Sequence, residues 1–262
     1  MIDPLMLENF CRWIRERESI RNKRAAGFKA PWTYNSIMQQ FHFCNVRRED
    51  DRGTKELRAV VKEIGPRIED LPWVYTAARL FNSAATLRPY LLGGVEAVKQ
   101  RREKGLTVFN VAYVVSTCGK RVDKVDYVHS VVQAVHHTNV PNMSCRHAFN
   151  ALRSVDGLGS FLAGQIVADL KNDRYLQGVD DWETFSVMGP GSKKGLDFLF
   201  GQGTTENTYD LRIAVLSANL PPDIKNMKIH RQDLQNCLCE FSKYVRYLDN
   251  LPGRRRPYHV HS

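Results

Sequence analysis

"ALRSVDGLGSFLAGQIVADL", residues 151–170, interrupts a continuous apolar helical pattern with two glycines one residue apart. Glycine leaves a helix in left-handed geometry, and it lets another backbone or a ligand approach closely. Gly157 therefore reads as a helix stop. Leu152 and Val155 before it, and Phe161, Leu162, Ile166, Val167 and Leu170 after it, recur at helical spacing, which predicts two helices joined by a short turn. The second helix begins near Gly159 and Ser160, with unpaired backbone N–H groups at its positive end, where a phosphate oxygen can bind. Taken alone, Gly-x-Gly is more often an ordinary αα-turn between core helices. A dinucleotide fingerprint fits less well still, because Gly164 comes too late for G-x-G-x-x-G and no strand-like run precedes the turn.

The same three-and-four spacing extends outward over about 5–26, 33–43, 54–64, 73–92, 94–104, 124–138, 144–155, 205–218 and 230–248. Only "LTVFNVAYVVS", 106–116, has strand-like composition, and one such segment makes no sheet, so it reads as buried helix. The fold class is all-α. Glycine and proline at Gly65-Pro66, Gly93-Gly94 and Gly189-Pro190-Gly191 read as turns within a compact body, and no internal repeat is present.

With 262 residues and 43% apolar content the chain can bury a sizeable core as one large domain or two small lobes. Its six cysteines are scattered without a C-x-x-C pair, which argues against a zinc ribbon or an iron–sulfur cluster and for reduced thiols. No apolar run approaches the roughly 18 residues of a membrane span, and the N-terminus lacks signal-peptide order, so a soluble intracellular protein is expected. A net charge of +10 attracts polyanions. Arg12, Arg15, Arg17, Arg21, Lys23, Arg24 and Lys29 face only Glu16 and Glu18 in their stretch, which suggests a phosphate-facing surface.

Three polar constellations stand out. "GVDDWETFSVMGPGSKKGL" sets Asp180, Asp181 and Glu183 beside Trp182, with helix N-capping as the plain use of one aspartate. It continues into Gly189-Pro190-Gly191-Ser192-Lys193-Lys194, a turn whose N–H groups, hydroxyl and ammonium groups suit an anion nest, although no Walker A pattern is matched. The stretch 30–57 runs an aromatic helix into Asn45, Arg47, Arg48, Glu49, Asp50, Asp51 and Arg52. That is either a solvated ion-pair surface or an arginine clamp on phosphate or carboxylate. In 230–246, Asp233, Gln235, Asn236 and Glu240 accompany an apolar stripe without a packing role of their own, as a polar edge facing a cleft would.

"LRSVDGLGSFLAGQIVADL" resembles the helix-hairpin-helix of DNA glycosylases, with Ala163 also in place, and Asp180 or Asp181 stands where those enzymes carry an essential Asp. The Schiff-base lysine of the bifunctional enzymes is replaced by Phe161, which argues against imine chemistry. Over nearly its full length the chain resembles the alpha-glutamyl/putrescinyl thymine pyrophosphorylase family, the amino acid:DNA transferases of bacteriophages with hypermodified thymine. The likeness lies in "IRNKRAAGFKAPWTYNSIMQQFHFCNVRREDDRGT", "GLGSFLAGQIVADL", "TFSVMGPGSKKGL" and "DLQNCLCEFSKYVR".

The resemblance implies one glycosylase-like helical domain over 1–262, with two helical lobes flanking a cleft. It implies double-stranded DNA carrying pyrophosphorylated 5-hydroxymethyluracil as substrate, and displacement of pyrophosphate by a free amino acid or polyamine. The setting would be the cytoplasm of an infected bacterial host, with the protein acting as a monomer away from membranes. Gly157, Gly159, Ser160 and Gly164 would hold DNA, and Trp32, Trp182 or Tyr34 would stack on an extruded base. Arg47, Arg48, Ser192, Lys193 and Lys194 would stabilise pyrophosphate, with Mg2+ as an optional aid, while Arg21 or Arg24 would hold the amino-acid carboxylate. Asn45 and Glu240 complete the expected substrate site. Asp180, Asp181 or Glu183 would deprotonate the amine, with Glu49, Asp50 and Asp233 in reserve. A monofunctional glycosylase and a non-enzymatic DNA-binding module are the alternatives.

Overall fold

A computed structural model describes residues 1–110, 115–117 and 119–249. Among these residues the chain is helical and contains no β-sheet. The described residues divide into two compact units, one formed by 1–51 with 186–249 and the other drawn from the intervening 52–185.

The first unit opens with α1 (Pro4–Ala25), which Asp3 caps by accepting the Met6 N–H, with Pro4 at the first helical position. Its buried stripe Phe10, Trp13 and Ile14 meets α2 (Ser36–Gln40) and the last helices of the chain. The helix expected over 33–43 is thus only five residues long, started by the Asn35 side chain on the Met38 N–H. Because the second unit intervenes in sequence, the helices that complete this core are numbered after it.

The second unit contains α3 (Arg52–Ile64), α4 (Leu71–Phe81), α5 (Ala84–Glu103), α6 (Lys124–His136), α7 (Cys145–Arg153) and α8 (Ser160–Lys171). Every residue of α4 except Trp73 is buried. The long helix expected over 73–92 breaks at Asn82, which adopts φ 49°, and Gly94 at φ 66° kinks α5. Inside this unit Arg79 of α4 forks onto Asp169 of α8, with Nη2 2.6 Å from Oδ1, both side chains almost wholly buried. The expected helix over 106–116 is absent from 106–110 and 115–117, where the chain is irregular, while 111–114 lie outside the described residues. Gly105, at φ 71°, ends α5, and the backbone then pairs in tertiary contacts, with Val108 O accepting the Thr86 hydroxyl and Asn110 N–H reaching Phe81 O.

The chain then returns to the first unit with α9 (Pro190–Phe200), α10 (Glu206–Asn219), α11 (Pro222–Lys225) and α12 (Arg231–Leu248). The Gly-Pro-Gly-Ser-Lys-Lys segment expected as an anion-binding turn is instead the first turn of α9. Pro190 stands at its start, and Ser192 Oγ lies 2.9 Å from Gly189 N and 3.1 Å from Gly189 O. The glycines serve packing: a Cβ on Gly195 would lie 2.5 Å from Leu238 O, and one on Gly191 would lie 3.2 Å from the Cys239 Cα. Helix α9 therefore crosses α12 in backbone contact, which only glycine permits.

Candidate functional site

Helix α1 carries charge where its periodicity calls for apolar side chains. Arg17, Glu18 and Arg21 continue the stripe of Phe10, Trp13 and Ile14 at spacings of three and four, and Arg17 and Glu18 are buried with it. The Arg17 guanidinium donates to Phe43 O at 2.8 Å and Cys44 O at 3.2 Å. Burial pulls the Arg17 pKa below its ordinary value against the opposing charge of Glu240. Glu18 Oε1 accepts from Arg21 at 2.6 Å and Arg47 at 2.9 Å. Burial opposes its ionisation, but these two hydrogen bonds prevail and hold the carboxyl below the usual range. Arg21 also approaches Asp50, 3.5 Å away.

The segment 43–51 runs between this charged end of α1 and the polar face of α12. Asp233, Asn236, Glu240 and Lys243 succeed one another at helical spacing. Asp233 lies 3.4 Å from the Arg48 N–H and 3.3 Å from the His230 ring. Asn236 donates to Asn45 O at 3.0 Å, and Glu240 accepts the Cys44 N–H at 2.9 Å while pairing with Lys243 at 2.8 Å. The expected polar edge of this helix is therefore a row of clamps on one loop. Asn45 N–H donates back to Asp51 at 2.8 Å. Burial pushes the Asp51 pKa up to about 6, despite that hydrogen bond and the nearby Arg48. Arg21, Asn45, Arg47, Arg48, Asp50, Asp233 and Glu240, all expected from sequence, thus meet in one network. Asp51 and Lys243, from the same two charged stretches, join it, and Arg17 and Glu18, expected only within the basic stretch of α1, complete it.

Two hollows lie in the same unit, and the first meets this network at Arg17. A cavity of about 320 Å³ is lined by Arg17, Arg24, Trp32, Thr33, Gln39 and Phe43, a volume at the small end of the range for ligand sites. Arg24 stacks 5.1 Å from the centre of the Trp32 ring. A second cavity, about 560 Å³, lies beside Trp13, Glu16, Tyr34, Asn35, Phe241 and Tyr244. Ser192, Lys193 and Lys194 stand apart from the network: Ser192 is fully buried, Lys193 pairs with Asp197 at 2.8 Å, and Lys194 is exposed.

In the second unit α7 and α8 form the expected hairpin. Gly157 turns it at φ 92°, and a Cβ there would lie 2.7 Å from Val131 Cγ2 and 2.8 Å from the Tyr127 hydroxyl. Gly159 has an extended backbone and open space, and α8 starts without a side-chain cap. Ser160 opens α8, Gly164 is buried within it, and Phe161 is half exposed. Asp181 receives the Cys145 N–H at 2.8 Å and the Arg146 N–H at 2.9 Å, capping α7 with both carboxylate oxygens. Asp180 and Glu183 are exposed, and Glu183 borders an open hollow with Lys171, Asp173 and Trp182. Part of the basic face expected on α1 is engaged within the protein: Arg15 pairs with Asp223 at 2.7 Å, Arg17 and Arg21 join the network, and Lys23 donates to Trp32 O, while Arg12, Arg24 and Lys29 are exposed. Among the described residues, no three His, Cys, Asp or Glu side chains converge as metal ligands would.

The family model for the helical domain of 5-hmdU DNA kinase matches residues 5–251. The chain belongs to this family. Within the 5-hmdU DNA kinase helical domain, the match takes in the hairpin and both halves of the first unit. A curated relative, the 5-hmdU DNA kinase of Bacillus phage SP10, is 23% identical over 281 residues, covering 88% of this chain and 44% of the relative. The chain therefore spans less than half the length of that relative. No solved structure matches it. No helix of the described residues is long and apolar enough to cross a membrane.

Proposed function

We propose that this chain is a DNA hypermodification transferase acting on a 5-substituted deoxyuridine. In this reading an amine replaces pyrophosphate on the exocyclic methylene of the base. The observation that carries it is the cluster of Arg17, Arg21, Arg47 and Arg48 with Glu18, Asp50 and Asp51, beside a ligand-sized cavity with Arg24 and Trp32 on its wall. Membership in a family of 5-hmdU DNA kinase helical domains, and likeness to a phage protein of that name, support a hydroxymethyl-deoxyuridine substrate in DNA.

The chemistry requires three things of these residues. The leaving pyrophosphate needs cations, supplied by Arg21, Arg47 and Arg48, whose present carboxylate partners would yield to a more highly charged anion. The base and amine need a pocket, with Trp32 as a stacking surface and Arg24 for the carboxylate of an amino acid. The amine needs a proton acceptor. Asp51, with a pKa of about 6, is ionised at neutral pH yet basic enough to take the proton. Nitrogen attacks the methylene carbon, the carbon–oxygen bond breaks with its electron pair on pyrophosphate, and the amine proton passes to Asp51. The hairpin residues Gly157, Gly159 and Ser160, backed by the buried Gly164, hold duplex DNA through backbone N–H groups. The setting proposed is a monomer in the cytoplasm of a phage-infected bacterium, with a free amino acid or polyamine as donor.

Nucleoside mass spectrometry on pyrophosphorylated hydroxymethyl-deoxyuridine DNA, incubated with the protein and mixed amines, tests this. An aminated thymidine is expected. An unchanged nucleoside overturns the reading, and a lost base replaces it with glycosylase action. With hydroxymethyl-deoxyuridine DNA and ATP instead, a phosphorylated base would make the chain a kinase component.

A further inference from the structure

An exposed positive patch of the second unit lies beside the hairpin. Residues 99–124 carry Lys99, Arg101, Arg102, Lys104, Lys120, Arg121 and Lys124 against only Glu103 and Asp123. The fold gathers them around the first turn of α6. Asp123 caps that helix through the Val125 and Asp126 N–H groups and pairs with Arg102 at 2.5 Å. Tyr127, one turn on, packs against Gly157. Lys120 sits over the Tyr127 ring and reaches across to Asp156 of the hairpin turn at 2.6 Å. Arg102, Lys120 and Asp156 keep about half or more of their side-chain surface in solvent, and Lys104 and Arg121 are exposed. Beside them α8 begins without a side-chain cap, so its positive end adds to the same field.

We infer that the DNA-phosphate surface of this chain continues from the hairpin onto Arg102, Lys104, Lys120, Arg121 and Lys124, with Lys120 exchanging Asp156 for a phosphate when DNA binds. This rests on the DNA substrate proposed above, and it places a main source of cationic contact in the second unit rather than on α1. Exposed ion pairs are weak enough for such an exchange, and each phosphate neutralised releases counterions.

The test is the salt dependence of binding to a short unmodified duplex, from about 50 to 200 mM salt. The Lys104→Gln/Lys120→Gln/Arg121→Gln protein is expected to show a slope shallower by about two to three units, roughly 0.9 for each phosphate that is no longer neutralised. A control triple, Arg12→Gln/Lys29→Gln/Lys228→Gln, removes the same charge from the first unit and should keep the wild-type slope. Asp156→Asn takes the competing carboxylate away from Lys120 and should bind about two- to fivefold more tightly. Wild-type slope in the first triple, or equal losses in both triples, overturns the inference while leaving the DNA substrate standing. Absence of binding by the wild-type protein overturns the DNA substrate itself.

Discussion

The hairpin of α7 and α8 and the segment 43–51 are built on opposite principles. The hairpin is local: its two helices, its turn and its left-handed glycine all fall within residues 145–171. The 43–51 segment is held by partners far away in sequence, with N–H groups donating to Asp233 and Glu240 and Asn236 donating to Asn45 O, bonds that span 185 to 196 residues. A motif set by neighbours can be read from a short string of residues. A loop clamped from the far end of the chain cannot, and here that loop carries most of the charge of the proposed active site.

Breaking the ion pairs that tie this segment to α1 should cost most. Glu18→Ala leaves Arg21 and Arg47 without their shared carboxylate in a largely buried setting, and a loss of about 3 kcal/mol is expected in urea unfolding. Gly157→Ala combines a left-handed backbone with a clash against Val131 and Tyr127, so about 2 kcal/mol should be lost by the same measurement. Asp181→Ala removes a two-pronged cap from α7, an expected loss of about 1–2 kcal/mol. Gly159→Ala, with an extended backbone and open space, should change stability by no more than about 0.5 kcal/mol. A similar loss at both glycines would refute the packing role given to Gly157.

Titration of Asp51 sharpens the contrast further. Its pKa is raised in the folded protein, so its stabilising contribution is present below the unfolded value of 3.8 and is lost as pH rises through about 6. The Tm of Asp51→Asn relative to wild type should therefore climb between pH 4 and 7. A constant difference across that range would show that burial does not govern this carboxyl.

Much of the helical framework was legible because periodicity is a local signal. Helices α1, α3, α6, α7, α8, α10 and α12 lie close to their expected positions. Helix α9 was not, since Gly189, Pro190, Gly191 and Ser192 are turn formers in isolation. Their helical role depends on the backbone of Leu238 and Cys239, which no local pattern reveals. Asp181 was legible as a cap or a base, and the structure places both its oxygens on α7. One signal for the hidden residues did exist. Arg17 and Glu18 interrupt the apolar stripe of Phe10, Trp13 and Ile14, and charge at core spacing marks a polar interior.

The central claim is that chemistry resides in the first unit, while the hairpin unit holds DNA. Single-turnover formation of the aminated nucleoside, followed by mass spectrometry with duplex affinity measured in parallel, tests it most directly. Asp51→Asn is predicted to lose about 10²- to 10⁴-fold in transfer rate with DNA affinity unchanged, while Asp181→Asn keeps its rate within a few-fold. Full transfer by Asp51→Asn together with loss in Asp181→Asn would contradict the claim and move the reaction to the second unit.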